Sequence, residues 1–401
     1  MNTTSTEAKH GLADRGYRPE RADWTIDQGW AHYTPQDHAV WKALFERQTG
    51  LLPGRACEAF VQGMRALPMR HDQIPRFDEL SEALMKRTGW QVVAVPGLVP
   101  DEVFFDHLAH RRFPSGRFIR RPDELDYLEE PDVFHDVFGH VPMLMNPVMA
   151  EFIQAYGQGG LRAQKLGVLE QLARVYWYTV EFGLVREGDA VRIYGAGIAS
   201  SSAESVFAVE SDSPNRIGFD LERVMRTRYR IDDFQESYFV LDNLDQLLAL
   251  AQIDFDPYYQ RLQTGPTHQP GDVLASDPVI TRGSGRYHAD KRAGAAPWPK
   301  PAPPFSSPAP PATWAPPWWP TSPARARGCC WRTATRARCV STTAASRTPS
   351  WSRSTCWIAS RWPTASARPL HAPAAATCCA IWPAAFTWAN GCTTHRLPPG
   401  T

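Results

Sequence analysis

The sequence predicts a mostly helical domain with a few short strands, confined to about the first 290 of 401 residues. Three observations carry this. Apolar residues recur at helical spacing, behind recognisable start signals, from Thr34 to Ile253. Only a few runs gather β-branched residues between turn signals. The composition breaks at Asp290, the last acidic residue: all 42 carboxylates precede or include it, against 30 of the 43 Lys and Arg. The body therefore carries −12 and the remainder +13, so the overall +1 joins two unlike pieces.

A body this acidic argues against nucleic acid as its partner. Its length suffices for one large buried core. Seven of the eight cysteines lie beyond Asp290. Cys57, alone in the body, reads as a small buried apolar residue rather than a reactive thiol, and such sparing use suits a reducing compartment. The N-terminus has no apolar signal region and no run approaches a membrane span. A cytoplasmic protein with no membrane partner is expected.

Residues 1–33 are a polar lead-in. Thr34-Pro35-Gln36-Asp37 then starts a helix: Thr34 caps, Pro35 suits the first position, and an acidic side chain follows. Val40, Trp41, Leu44 and Phe45 form its stripe, and Gly50 is expected to end it. A second helix places Ala56, Phe60, Val61 and Met64 on one face, and a third runs from about Phe77 to Lys86, stopping at Gly89. Trp90–Val95 is a strand closed by Pro96-Gly97. Residues 100–111 return to helical spacing, and Arg117–Arg120 alternate briefly. Helical patterns continue to about 188, with strands at Val191–Tyr194 and Arg228–Asp232 and helices at Ala203–Glu210 and Leu241–Ile253.

Residues 291–401 hold 19 of the 36 prolines and 10 of the 15 tryptophans with no sustained period. Runs such as Pro301-Ala302-Pro303-Pro304 build neither helix nor sheet interiors. A basic, Trp-rich tail for binding nucleic acid is one reading. The complete lack of Asp and Glu beside so much Ala, Arg, Pro, Trp and Cys favours another: a disordered segment translated out of frame from a GC-rich gene. The organisation expected is thus a lead-in over 1–33, a catalytic domain over 34–290 and a tail over 291–401.

One run carries chemistry: Pro131-Asp132-Val133-Phe134-His135-Asp136-Val137-Phe138-Gly139-His140-Val141-Pro142. Histidines five apart lie about 140° apart on a straight α-helix, so they converge on one ion only if the chain deviates there. Gly139 offers that freedom. The zinc-protease spacing, His-Glu-x-x-His, is absent, and two histidines are too few for a closed zinc site. A third ligand stands in Arg174–Leu184, where Glu181 is flanked by Val180, Phe182 and Leu184. A carboxylate in such company must be paired or bound to a cation. Pairing with Arg174 is the alternative. Two imidazoles and one carboxylate match the facial triad that holds Fe(II) and leaves positions open.

Pro131–Pro142, Tyr176–Phe182 and Tyr194-Gly195-Ala196-Gly197-Ile198-Ala199-Ser200-Ser201 together resemble the catalytic domain of the pterin-dependent aromatic amino acid hydroxylases, from about Ala39 to about Gly285. The resemblance implies a mostly helical basket with iron at its floor, held by His135, His140 and Glu181. It further implies that Arg120 binds the amino acid's carboxylate, that Pro131, Trp177 and Ser200 wall its ring, and that Gly97, Leu98, Phe104, Asp136 and Tyr176 receive the tetrahydropterin. Leu128-Glu129 stand where animal members have Thr-Pro, so one supporting contact to the carboxylate is not carried over. No regulatory domain precedes the body and no heptad follows it, which resembles the compact bacterial members and implies a monomer.

The activity so implied converts L-phenylalanine, O2 and tetrahydropterin to L-tyrosine and 4a-hydroxypterin at a mononuclear non-haem Fe(II), the first step of phenylalanine catabolism. Tyrosine or tryptophan hydroxylation is the nearest alternative. Ile231 aligns with a position that is apolar in the phenylalanine enzymes and acidic in the tyrosine enzymes, though Asp232 is adjacent. A zinc-dependent hydrolase using the same ligands, with Asp136 as general base, is a remoter one.

Overall fold

A computed structural model of the chain describes residues 21–126 and 130–294. Leu128-Glu129, most of the lead-in and the tail beyond residue 294 lie outside the described residues.

The chain opens with three helices, α1 (Pro35–Leu51), α2 (Glu58–Ala66) and α3 (Phe77–Arg87). Then β1 (Gln91–Val95) and β2 (Arg112–Gly116) pair in parallel across the connecting helix α4 (Asp101–Ala109). A π-helical segment, Phe134–His140, leads into α5 (Val141–Leu144), α6 (Pro147–Leu166) and α7 (Leu169–Tyr176), and a second π-helical segment follows at Trp177–Glu181. The remaining elements are β3 (Leu184–Glu187), β4 (Ala190–Ile193), α8 (Ala196–Ser200), α9 (Ser202–Glu210), β5 (Asn215–Gly218), α10 (Leu221–Met225), β6 (Ser237–Leu241), α11 (Asp245–Ala251), α12 (Asp256–Leu262), β7 (Val279–Thr281) and α13 (Arg286–Arg292). The last five strands form one sheet in the order β4-β3-β6-β5-β7. Among the described residues no helix is long and apolar enough to cross a membrane.

The helical expectations hold where cap and stripe agree. Thr34 and Asp37 form the reciprocal capping box of α1, with Pro35 at its first position. The α1 stripe is buried, with Trp41 and Phe45 edge-on to Phe134 and Phe138 at 5.3 and 5.5 Å, so it packs directly on the first π-helical segment. Cys57 caps α2 through its sulfur, and burial pushes its thiol up to about 12. It is packed and inert, as expected.

Several expectations need correction. Gly50 lies inside α1, which runs on to Leu51. Ala56 precedes α2 and pairs with Ile193, while Val61 is only half-buried. The alternating segment Arg117–Arg120 is irregular, and a strand precedes it at Arg112–Gly116; Pro114 sits in a strand that pairs on one side only, where a missing N–H is tolerated. Leu184–Glu187 is a strand, not a helix end, and 228–232 is irregular. Leu241 closes β6, so the helix expected from it starts only at Asp245. The fold also continues through Arg292, two residues past the expected boundary.

Helices α4 and α6 touch closely. A Cβ at Gly160 would lie 1.9 Å from the Phe105 ring, so a glycine there lets α4 seat on α6 and fixes Phe104 beside Tyr176. Those two rings are edge-to-face at 6.1 Å, at the edge of the site described next.

Candidate metal centre and its two clefts

The first π-helical segment allows two histidines five residues apart to share a site. Hydrogen bonding from i to i+5 widens the turn and returns such residues to nearly one face. His135 Nε2 and His140 Nε2 accordingly face each other at 3.3 Å. Gly139 has a different part from the one expected. Its backbone is not left-handed, but a Cβ there would lie 2.8 Å from the Ala196 carbonyl oxygen. The glycine admits α8, which brings Ser200 to the site.

The second π-helical segment supplies the carboxylate. Glu181 Oε1 is 3.2 Å from His140 Nε2, and Oε2 is 3.6 Å from His135 Nε2. Arg174 does not pair with it: that guanidinium donates to Met225 O at 2.9 Å and binds Glu170. Burial pushes the His135 imidazole down to about 4, a larger effect than the Glu181 charge that opposes it. Burial also pushes Glu181 up, but His140 and His135 beside it more than offset this and hold the carboxyl below its ordinary value. A neutral imidazole and an ionised carboxylate are the forms a metal takes.

Ser200 sets the tautomer. Its hydroxyl donates to Ala196 O at 2.8 Å, which leaves the oxygen to accept from His135 Nδ1 at 3.0 Å. With the proton on Nδ1, the Nε2 lone pair points at the centre. The three donor atoms lie within 4.8 Å of one another. Bonds of about 2.1 Å at right angles would separate neighbouring donors by about 3.0 Å, close to the 3.2–3.6 Å seen. The residues fit a divalent ion bound on one face.

Two clefts meet at this centre. The smaller, about 530 Å³ counting the space open to solvent, is lined by Gly97, Leu98, Phe104, Asp136 and Tyr176, all five positions expected for a pterin. The Asp136 carboxylate accepts from Gly116 N at 2.8 Å, and burial pushes it up to about 7. The larger, about 1510 Å³ counting the space open to solvent, is lined by Arg120, Pro131, Trp177 and Ser200, the four positions expected for an amino acid. His135, Glu181 and Pro131 face both.

The sequence profile of the biopterin-dependent aromatic amino acid hydroxylases matches residues 25–262. The chain belongs to that family. It is 59% identical over 280 residues to the phenylalanine-4-hydroxylase of Ralstonia nicotianae, covering 70% of this chain and 88% of that one. It is 58% identical over 288 residues to that of Caulobacter vibrioides, covering 71% and 98%. The crystal structure of Chromobacterium violaceum phenylalanine hydroxylase with iron and phenylalanine bound is similar at TM-score 0.63 and 50% identity, covering 67% of this chain and 97% of that one.

In this hydroxylase chain two site residues escaped sequence reading. Asp132 is fully buried and takes the Arg120 fork at 2.8 and 2.9 Å. Burial pushes its carboxyl up, and the guanidinium more than offsets this and holds it low. The Arg120 fork is thus taken, and only its remaining N–H groups are left for the cleft. Asp132 also accepts from His135 N at 3.0 Å, a cap three residues ahead that the Asp-x-x-His spacing does signal. Gln235 accepts from Trp177 Nε1 at 3.0 Å; 58 residues separate them, and no local pattern announces the bond. Ile231 lines the larger cleft beside Asp232 and is 40% exposed.

Proposed function

We propose that the chain is a phenylalanine 4-monooxygenase, converting L-phenylalanine, O2 and tetrahydropterin to L-tyrosine and 4a-hydroxypterin. One observation carries this: a two-histidine, one-carboxylate centre open to two clefts at once, one walled by aromatic faces and one carrying a buried guanidinium. The names of the bacterial relatives support the same substrate.

His135, His140 and Glu181 would hold Fe(II). When bound, iron and reduced pterin would supply oxygen activation and the electrons. The chain's own residues supply position. Phe104 and Tyr176 receive the flat pterin rings between Gly97, Leu98 and Asp136. Arg120, oriented by Asp132, takes the amino acid's carboxylate through its free N–H groups. Pro131 and Trp177 flank the side-chain ring, and Trp177 is itself held by Gln235 and by Tyr229, stacked on it at 4.4 Å. Ser200 keeps His135 in its ligating tautomer. Ile231 favours an apolar ring edge over a phenol. The enzyme works in the cytoplasm, as a monomer.

Reconstitution with Fe(II), followed by oxygen uptake and product analysis on phenylalanine, tyrosine and tryptophan, tests this. Tyrosine formed from phenylalanine, one per tetrahydropterin, is expected. No tyrosine, or faster turnover of either other amino acid, would overturn the assignment.

A further inference from the structure

We propose that the last helix, α13, positions the substrate wall of the larger cleft through a clasp of Tyr287 and Lys291 on Asp233. This rests on reading that cleft as the amino acid pocket. The wall includes an irregular strip, residues 230–235, with no sheet or helix bonds of its own to fix it. Three successive side chains tie the strip to three different elements.

Asp233 is tied to α13. Its carboxylate receives Tyr287 Oη at 2.7 Å and Lys291 Nζ at 2.8 Å, and its own chain's Phe234 N at 2.9 Å. Phe234 is stacked on Phe207 of α9 at 4.6 Å and leans on Tyr287 at 5.2 Å. Gln235 reaches the second π-helical segment: it accepts from Trp177 Nε1 at 3.0 Å and donates to Arg230 O at 2.8 Å. Trp177 stands four residues before Glu181.

The order of contacts is thus α13 to Asp233, Asp233 to its neighbour Gln235, and Gln235 to the indole that walls the cleft. Asp233 is 7% exposed while Lys291 is 49% exposed. The lysine can be changed with little loss of core, yet its removal leaves a buried carboxylate with only part of its donors. The strip then loosens, and with it the tryptophan. Asp233, Tyr287 and Lys291 all line the larger cleft, and none lines the smaller. The effect of the clasp should be confined to the amino acid.

The test uses the full-length, iron-loaded chain carrying Lys291→Met or Lys291→Arg. Losing one half-exposed ion pair is expected to raise KM for phenylalanine about five-fold in Lys291→Met. KM for tetrahydropterin and iron content should stay at the wild-type level, and Lys291→Arg should restore most of the loss. Hydrogen exchange on the substrate-free protein reads the clasp independently: amides of 230–236 should exchange faster in Lys291→Met, and those of β1 and α4 should not. Unchanged exchange in the strip, or equal rises in both KM values with faster exchange throughout, would overturn the clasp. Failure of the wild type to hydroxylate phenylalanine would sink the functional reading instead, and the exchange result would still decide the clasp.

Discussion

The two clefts share a wall of His135, Glu181 and Pro131 but differ in how they carry charge. The smaller is lined by Val95, Leu98, Phe104, Phe113 and Tyr176, with Asp136 as its acidic side chain beyond the metal ligands and no lysine or arginine. The larger is lined by Arg47, Arg120, Arg230 and Lys291, each held by a carboxylate: Asp126, Asp132, Asp232 with Glu236, and Asp233. A flat, uncharged heterocycle needs apolar faces and a few fixed polar groups. A zwitterionic amino acid needs charges whose desolvation is already offset by partners. On the proposed assignment, the difference teaches that substrate and co-substrate would be separated by electrostatics as much as by shape, with one metal serving both.

The most severe way to break this arrangement is to remove the shared wall. His135→Ala or His140→Ala should abolish iron binding and activity, read by metal analysis and turnover, while the circular dichroism spectrum persists. Glu181→Gln should weaken iron and stall turnover, because it removes the one charged ligand. Metal content near the wild-type value in any of these would refute the ligand set.

Next in size are changes that should separate the clefts. Arg120→Ala should raise KM for phenylalanine roughly ten- to a hundred-fold, as losing a charge-assisted bond costs about 1.5–3 kcal/mol, with KM for pterin nearly constant. Because Asp132 would be left buried and unpaired, a fall in melting temperature should accompany it. Phe104→Ala should do the reverse at smaller scale, raising KM for pterin about three- to ten-fold through lost ring contact and sparing phenylalanine. Steady-state kinetics with each substrate varied in turn would check both. Equal effects on the two substrates would show that the clefts are not independent.

Much of this was legible in sequence. The start of α1 was, because Thr34, Pro35 and Asp37 each act locally. The grouping of His135, His140 and Glu181 was too, because two imidazoles and a carboxylate together match a facial metal set, and the three donors do converge. The π-helical geometry was only half legible: the i,i+5 spacing demanded a deviation, but its form rests on α8 packing against Gly139. Strand β6 was hidden because all five of its residues are buried, and a short run without alternation reads equally as helix. The Trp177–Gln235 and Asp233–Lys291 contacts join distant segments that no local period connects. For that last reason the boundary expected at Asp290 falls inside α13, one residue before Lys291.

The smallest expected effect concerns stability. Glu204 lines the larger cleft with no cation against it, and burial pushes its carboxyl from 4.5 up to about 8, only partly offset by Tyr238 and Gln235. A folded-state value above the unfolded one means stability is fully present below about pH 4.5 and is lost as pH rises through about 8. Glu204→Gln keeps the acceptor for Tyr238 and loses the charge. Its melting temperature should stay close to the wild type's at pH 5 and exceed it at pH 8. Parallel profiles for the two proteins would show that Glu204 is ionised in the fold.

Whether two clefts serve one metal is tested most directly by titrating phenylalanine into the iron-loaded chain by calorimetry under anaerobic conditions, with and without saturating tetrahydropterin. One phenylalanine per chain is predicted in both titrations, with the Arg120→Ala variant binding it roughly ten- to a hundred-fold more weakly and the Phe104→Ala variant binding it as the wild type does. Phenylalanine binding that disappears as pterin is added would mean a single shared pocket, and would contradict the two-cleft arrangement.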